Sequence, residues 1–203
     1  MPDIFYGFLG LFIGSFLNVC IHRIPREESI VYPPSHCPEC GMRLCARDLV
    51  PVLSYLALGR RCRECYSPIS AKYPFVELLA GAAFWLAASQ SENEVALLKN
   101  FIFLSGMIVV IFTDLEHMII PDAISLPLLG AGLVFAALPA VAEFAGLSLP
   151  AAVPEIKESA LAAAAGFGGF YALAVIGELL LKTEAMGGGD IKLAAAMGAF
   201  LGW

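Results

Sequence analysis

Asp114 and Asp190 are the residues of this chain best suited to do chemistry. Asp114 lies in Phe112-Thr113-Asp114-Leu115-Glu116-His117-Met118-Ile119-Ile120-Pro121-Asp122. Asp190 lies in Gly187-Gly188-Gly189-Asp190-Ile191-Lys192. Each abuts a long apolar segment, and a carboxylate at a membrane boundary is costly enough to mark a candidate functional site. Two such groups on one side of a bilayer can work as an acid and a base. Peptide hydrolysis needs a base to activate water and an acid to protonate the leaving amine. Two carboxylates about 3 Å apart can share one proton, because both cannot ionise together, and they then titrate as a coupled pair. Taken singly, each aspartate reads equally well as a helix cap or a solvated helix end.

The flanking residues sharpen this reading. Gly187, Gly188 and Gly189 remove three side chains just before Asp190. That permits close approach of another backbone, as an extended peptide substrate requires. A flexible loop or a helix start are the plainer alternatives. A phosphate loop is disfavoured, because the pattern Gly-x4-Gly-Lys-Ser/Thr is absent. Asp122 follows Pro121 and reads as a helix N-cap. Lys192 is two residues past Asp190, so on a helix the two do not share a face. Glu116 and His117 read as solvated, although His117 faces Asp114 if that stretch is helical.

These residues must be positioned by membrane helices. The 203 residues are 59% apolar and 15% charged, with mean hydropathy +0.79. Soluble domains average roughly 45–50% apolar and about 25% charged, so the chain is an all-α polytopic membrane protein. A net charge of −6 argues against a nucleic-acid partner. The start, Met1-Pro2-Asp3, lacks the basic region of a cleaved signal, so the first apolar run is expected to remain as a span. About six segments approach spanning length: 4–22, 74–90, 97–113, 123–142, 159–181 and 190–203. This divides the chain into a first transmembrane helix (1–22), a polar loop domain (23–73) and a helix bundle (74–203). A shorter polar stretch, 143–158, carries Pro150 and Pro154. Residues 23–73 hold Arg23, Arg26, Arg43, Arg47, Arg60, Arg61, Arg63 and Lys72, eight of the twelve basic residues. The loop is therefore expected to be cytoplasmic, with the N-terminus outside. Counting spans puts Asp114 and Asp190 on the cytoplasmic side too.

Four of the six cysteines form Cys37-Pro38-Glu39-Cys40 and Cys62-Arg63-Glu64-Cys65, with twenty-one residues between the pairs. Two such knuckles read as a four-cysteine zinc site that staples a loop too short to build its own core. Two disulfides or two unrelated knuckles are the alternatives, and a cytoplasmic setting disfavours disulfides. With all four positions filled by cysteine, no coordination site is open to water, so the zinc is expected to be structural. His36 can replace one thiolate but reads as solvated. Cys20 reads as a packed apolar residue, and Cys45 as a spare thiol.

With these motifs in order, the chain resembles the type IV prepilin peptidases, the G-x-G-D aspartyl membrane proteases of type IV pilus and type II secretion systems. Gly14-Ser15-Phe16-Leu17-Asn18-Val19 is similar to the family's first-span signature, and Ser15 and Asn18 share a face that should meet other helices. The cysteine pairs are similar to its cytoplasmic zinc loop. Pro51-Val52-Leu53-Ser54-Tyr55-Leu56 and Tyr73-Pro74-Phe75-Val76-Glu77-Leu78 resemble segments inside and after that loop. Asp114 with Ile120-Pro121-Asp122, and Gly187-Gly188-Gly189-Asp190 with Lys192-Leu193, resemble the two catalytic motifs. The resemblance implies a multi-pass enzyme of the bacterial inner membrane with Asp114 and Asp190 as its dyad. Such an enzyme cuts the leader from prepilins or pseudopilins at the cytoplasmic face, commonly after a glycine. It also implies N-methylation of the new terminus with S-adenosylmethionine, an activity the family associates with the cysteine loop. Relatives often carry a glycine directly before the basic residue that precedes the third cysteine. Here Arg60 holds that place, and Gly59 lies one position earlier. The family usually continues past the G-x-G-D helix, so a chain ending at Trp203 is expected to be truncated or a short member.

Three other readings compete. A membrane-anchored zinc-ribbon adaptor without peptidase activity explains the cysteines but neither the paired aspartates nor the triple glycine. A transporter requires acidic residues deep within spans, whereas Glu77, Glu143 and Glu178 lie near span ends. A methyltransferase without protease activity leaves the aspartates unexplained, and no Rossmann-type glycine fingerprint is present.

Overall fold

The computed structural model describes residues 2–144, 146, 153–182 and 186–202. Among them seven α-helices form: α1 (Pro2–Arg23), α2 (Leu53–Ala57), α3 (Lys72–Gln90), α4 (Glu94–His117), α5 (Asp122–Phe144), α6 (Ile156–Leu181) and α7 (Gly188–Leu201). No strand forms among the described residues. Pro150 and Trp203, both read from the sequence as parts of connecting or spanning segments, lie outside the described residues. Contacts divide the chain into two compact units. One is Met1–Gln90 with Met107–Thr113, and the other is Ser91–Gly106 with Asp114–Trp203.

Among the described residues four helices, not six, are long and apolar enough to cross a bilayer by themselves, and the chain is a multi-pass membrane protein. They correspond to α1, α4, α5 and α6. Helices do form at the other two expected segments. In α3, Lys72, Tyr73, Pro74, Glu77 and Gln90 dilute the apolar content of 19 residues. The 14 residues of α7 reach about 21 Å, short of the roughly 30 Å of a hydrocarbon core.

In the first unit, α1 and α3 pair along their length. A Cβ on Gly14 would meet the Glu77 Cα at 2.7 Å, one on Gly10 the Ala80 carbonyl at 2.5 Å, and one on Gly7 the Trp85 Cβ at 3.4 Å. The contacts rise in one helix as they fall in the other, so the pair is antiparallel. On α1, Phe5, Phe8, Phe12 and Phe16 are exposed, as a lipid-facing stripe should be. Ser15 and Asn18 do meet another helix. The Ser15 hydroxyl lies beside Glu77, and Asn18 Nδ2 donates to the Tyr73 carbonyl at 3.1 Å.

In the second unit, α7 is held by α5 and α6. Phe200 and Ala196 pack with Leu128 and Phe135 of α5, and the Phe103 ring lies 5.0 Å from that of Phe200. Gly198 approaches α6 so closely that an added Cβ would lie 2.4 Å from the Ala162 carbonyl oxygen. Gly166 meets the Ala194 carbonyl in the same way at 2.6 Å. Small residues permit this approach, and in lipid close packing is what holds helices together.

Gly198→Val should therefore destabilise the second unit by about 1–3 kcal/mol, the range for overpacking. A Cβ at Gly130 would meet nothing within 4 Å, so Gly130→Ala should be neutral or stabilising by up to about 1 kcal/mol. Thermal unfolding of both variants in detergent checks the contrast.

Candidate active site and metal centre

Asp114 occupies the last turn of α4, where its backbone carbonyl accepts the N–H of Met118 at 2.8 Å. Met118 closes the helix in a left-handed conformation, φ 54°, and four residues later α5 begins at Asp122. The Asp114 side chain is exposed. Asp190 is the third residue of α7, half-buried, with its N–H on the Gly187 carbonyl at 3.2 Å. Its carboxylate folds back over the helix start, and Oδ2 lies 3.2 Å from where a Gly187 Cβ would sit.

Two contacts hold the segments that carry the aspartates. Gly189 abuts the α4–α5 connection, where an added Cβ would lie 2.8 Å from the Ile120 Cβ and 3.1 Å from its carbonyl oxygen. Glycine at 189 is thus a packing requirement. Three residues on, Lys192 Nζ reaches both carboxylate oxygens of Asp122 at 2.7 Å. Asp122 therefore does not spend its carboxylate on a helix cap. It ties the start of α5 to Lys192, the fifth residue of α7. No hydrogen bond joins Asp114 to Asp190 among the described residues. The fold brings together the segments that bear the pair, and among the described residues neither carboxylate has a hydrogen-bond or ion-pair partner. His117 departs from the solvated reading, since it is half-buried and its Nε2 is enclosed with no hydrogen-bond partner. Glu116 is exposed.

The four knuckle cysteines converge in the first unit, all sulfurs lying within 4.8 Å of one another. Cys37 and Cys65 are 3.8 Å apart, and Cys40 and Cys62 are 3.9 Å apart. A tetrahedral ion with sulfur at about 2.3 Å would space its ligands by about 3.8 Å. Disulfides are absent, since all six cysteines are free. The two knuckles are built alike. The Cys37 N–H donates to the Met42 carbonyl, and the Cys37 carbonyl accepts the N–H of Gly41. The Cys62 N–H donates to Ser67, and the Cys62 carbonyl takes the N–H of Tyr66. The residue after each second cysteine is left-handed, Gly41 at φ 71° and Tyr66 at φ 59°.

The thiols are electrostatically unequal. Burial pushes the Cys37 thiol up, but N–H groups of Cys40 and Glu39 and the Ser67 hydroxyl outweigh it and bring it down to about 6. The Met42 N–H favours the Cys40 thiolate, yet burial and the sulfurs of Cys65, Cys37 and Cys62 outweigh it and push that thiol up to about 12. Four sulfurs this close cannot all ionise without a cation among them, and a divalent metal supplies that charge. His36 is exposed and bonds to the Pro34 carbonyl, outside the cluster. Cys20 is buried. Cys45 is exposed and its thiol is free, while its backbone N–H donates to the Asp48 carboxylate at 3.1 Å at the start of the 3-10 turn Ala46–Leu49. Asp48 also pairs with Arg63 of the second knuckle. Arg60, where relatives often carry glycine, is itself left-handed at φ 64°, and Gly59 before it at φ 58°.

A family model described as Bacterial Peptidase A24 N-terminal domain matches residues 8–91. A second, described as Type IV leader peptidase family, matches residues 101–203. The chain belongs to this family. It is 38% identical over 200 residues to a prepilin leader peptidase/N-methyltransferase of Myxococcus xanthus, covering 98% of this chain and 56% of that relative. Against the enzyme of the same name from Klebsiella pneumoniae it is 38% identical over 200 residues, covering 96% of this chain and 82% of the relative. A type 4 prepilin-like proteins leader peptide-processing enzyme of Escherichia coli is 36% identical over 211 residues, with 95% and 74% covered. No solved structure matches the chain.

The Lys192–Asp122 pair escaped the sequence reading because its members are 70 residues apart. Only their adjacency to the two motifs was a signal. Asp48 gave none. Both members of the Lys192–Asp122 pair are partly exposed, so each single replacement, Lys192→Asp or Asp122→Lys, should lower stability by no more than about 1 kcal/mol. The exchanged double variant should recover most of the loss. A double-mutant cycle on thermal unfolding in detergent measures that coupling.

Proposed function

We propose that this family member cleaves the leader peptide of type IV prepilins or pseudopilins by a two-aspartate mechanism and then N-methylates the new terminus. Asp114 and Asp190 form the dyad. One carboxylate takes a proton from water as that water attacks the scissile carbonyl. The other, protonated, gives its proton to the leaving amine. The observation that carries the reading is the contact of Gly189 with Ile120, reinforced by the Lys192–Asp122 clamp. Both aspartate-bearing segments are thereby tied to one another, although 76 positions separate Asp114 from Asp190. The open space around Gly188 suits an extended peptide.

The active face is cytoplasmic in this reading. Two helices long enough to span, α5 and α6, separate the aspartates, which supports a common side. The antiparallel partnership of α3 with α1 supports a second crossing in the first unit, and the basic loop then sets the orientation. Cys37, Cys40, Cys62 and Cys65 hold a structural zinc. When bound, S-adenosylmethionine supplies an electrophilic methyl group to the freed amine.

Incubation of the chain in detergent with a leader-bearing prepilin should yield mature pilin. Asp114→Asn and Asp190→Asn should each lower the rate by at least about a hundred-fold, as expected for loss of a general acid or base. Cleavage by both variants at the parental rate rejects the dyad. Elemental analysis should find about one zinc per chain. Cys62→Ser, which removes a buried ligand, should eliminate it, and acid should release it because protons compete for the thiolates.

A further inference from the structure

α2 lies within the polar loop of the first unit, yet it turns its leucines outward. Leu53 and Leu56 are 65% and 59% exposed, and Ala57 beside them is exposed too. Positions i, i+3 and i+4 share one helix face, so the three make a single apolar patch. The opposite side is half-buried. There Ser54, Tyr55 and Leu58 join Val19 and His22 of α1 in lining a cavity of about 520 Å³. α2 therefore lies alongside the last turns of α1.

Its height relative to the membrane follows from two contacts. The N–H of Val52, the residue before α2, donates to the Glu77 carboxylate of α3 at 2.7 Å. Glu77 is level with Gly14 of α1, where an added Cβ would lie 2.7 Å from the Glu77 Cα. From Gly14 to the end of α1 at Arg23 is nine residues, about 13 Å of helix. A helical side chain leans toward the N-terminus of its own helix, so the Glu77 carboxylate recovers part of that height and not all of it. α2 thus begins closer to the membrane interior than the end of α1, a helix long and apolar enough to cross a bilayer.

A continuous apolar face exposed at that depth is matched by lipid and not by water. Five residues are too few to cross, whereas a short amphipathic helix is suited to lie in the interface. The charges beside it agree. Arg47 precedes α2, Arg60 and Arg61 follow it, and all three are exposed. Arginine can run its stem along apolar surface and keep its charge among headgroups, and anionic headgroups attract basic residues there. The local charge is opposite in sign to the net −6 of the chain.

We propose that α2 is a re-entrant lipid anchor, with Leu53, Leu56 and Ala57 set into the bilayer interface and Arg47, Arg60 and Arg61 on anionic phospholipid headgroups. The cysteine loop is then held to the membrane at three places: the end of α1, the start of α3, and α2 between the two knuckles. The proposal does not depend on the proteolytic or methyl-transfer readings.

The test uses the full chain in vesicles of phosphatidylcholine with phosphatidylglycerol. Leu56→Trp is combined with Trp85→Phe and Trp203→Phe, so that one tryptophan reports. Its emission should shift to the blue. Bromine on the lipid acyl chains should quench it several-fold more strongly than iodide in the water does. Leu53→Trp in the same background repeats the measurement one turn earlier, so the outcome does not hang on one variant. Arg60→Gln with Arg61→Gln should abolish the extra quenching that phosphatidylglycerol gives over phosphatidylcholine alone. Water-like emission with full iodide quenching at both positions overturns the anchor. So does a tryptophan shielded from iodide yet untouched by brominated lipid, the result expected if protein covers this face. A phosphatidylglycerol effect that survives the arginine changes overturns the headgroup pairing.

Discussion

Helices in hydrocarbon gain nothing by hiding leucine from lipid, so what they build depends on how closely their backbones approach. The structure rests on that constraint. Gly10 and Gly14 let α1 lie against α3, and Gly166 and Gly198 let α6 lie against α7. In each pair, carbonyl oxygens or main-chain carbons occupy the space a side chain would take. The phenylalanines of α1 are turned away from its glycine face and exposed. The first pairing brings Ser15 and Asn18 to α3, and the second fixes the helix whose first turn carries Asp190.

The cysteine loop solves a different problem. Residues 24–71 contain no helix longer than the five residues of α2 and too few apolar side chains for a core. Their order comes from two hairpin-like knuckles of the same design, each with one left-handed residue after its second cysteine. At Gly41 that conformation is easy, and at Tyr66 it costs free energy. Convergence of four sulfurs at metal-ligand spacing is what holds the two halves together. Asp48 adds a second tie, and the Val52 N–H anchors the loop to Glu77 in α3. A roof built this way over α1 and α3 leaves a cavity underneath.

In the second unit, the proposed two-aspartate mechanism requires two segments to be pinned. One pin is steric, Gly189 against Ile120, and the other electrostatic, Lys192 against Asp122. They act on either side of Asp190. Neither uses the aspartates themselves.

Residue type and order alone determined the chemistry that is possible here. Carboxylates beside apolar segments, a triple glycine and two C-x2-C pairs are local signals, so they are legible without a fold. The helices too were legible, because a backbone in lipid must satisfy its hydrogen bonds internally. The count of self-sufficient spans was not. Apolar runs measure local composition, while the 14 residues of α7 depend on α5 and α6 and the polar end of α3 depends on α1 and the loop. Tertiary structure alone decided that Asp122 bonds Lys192 rather than its own helix start and that the Val52 N–H reaches Glu77. These outcomes join groups 70 and 25 positions apart through geometry. Hydrogen bonds and ion pairs are made by position in space, and sequence spacing fixes position only within a helical turn or two.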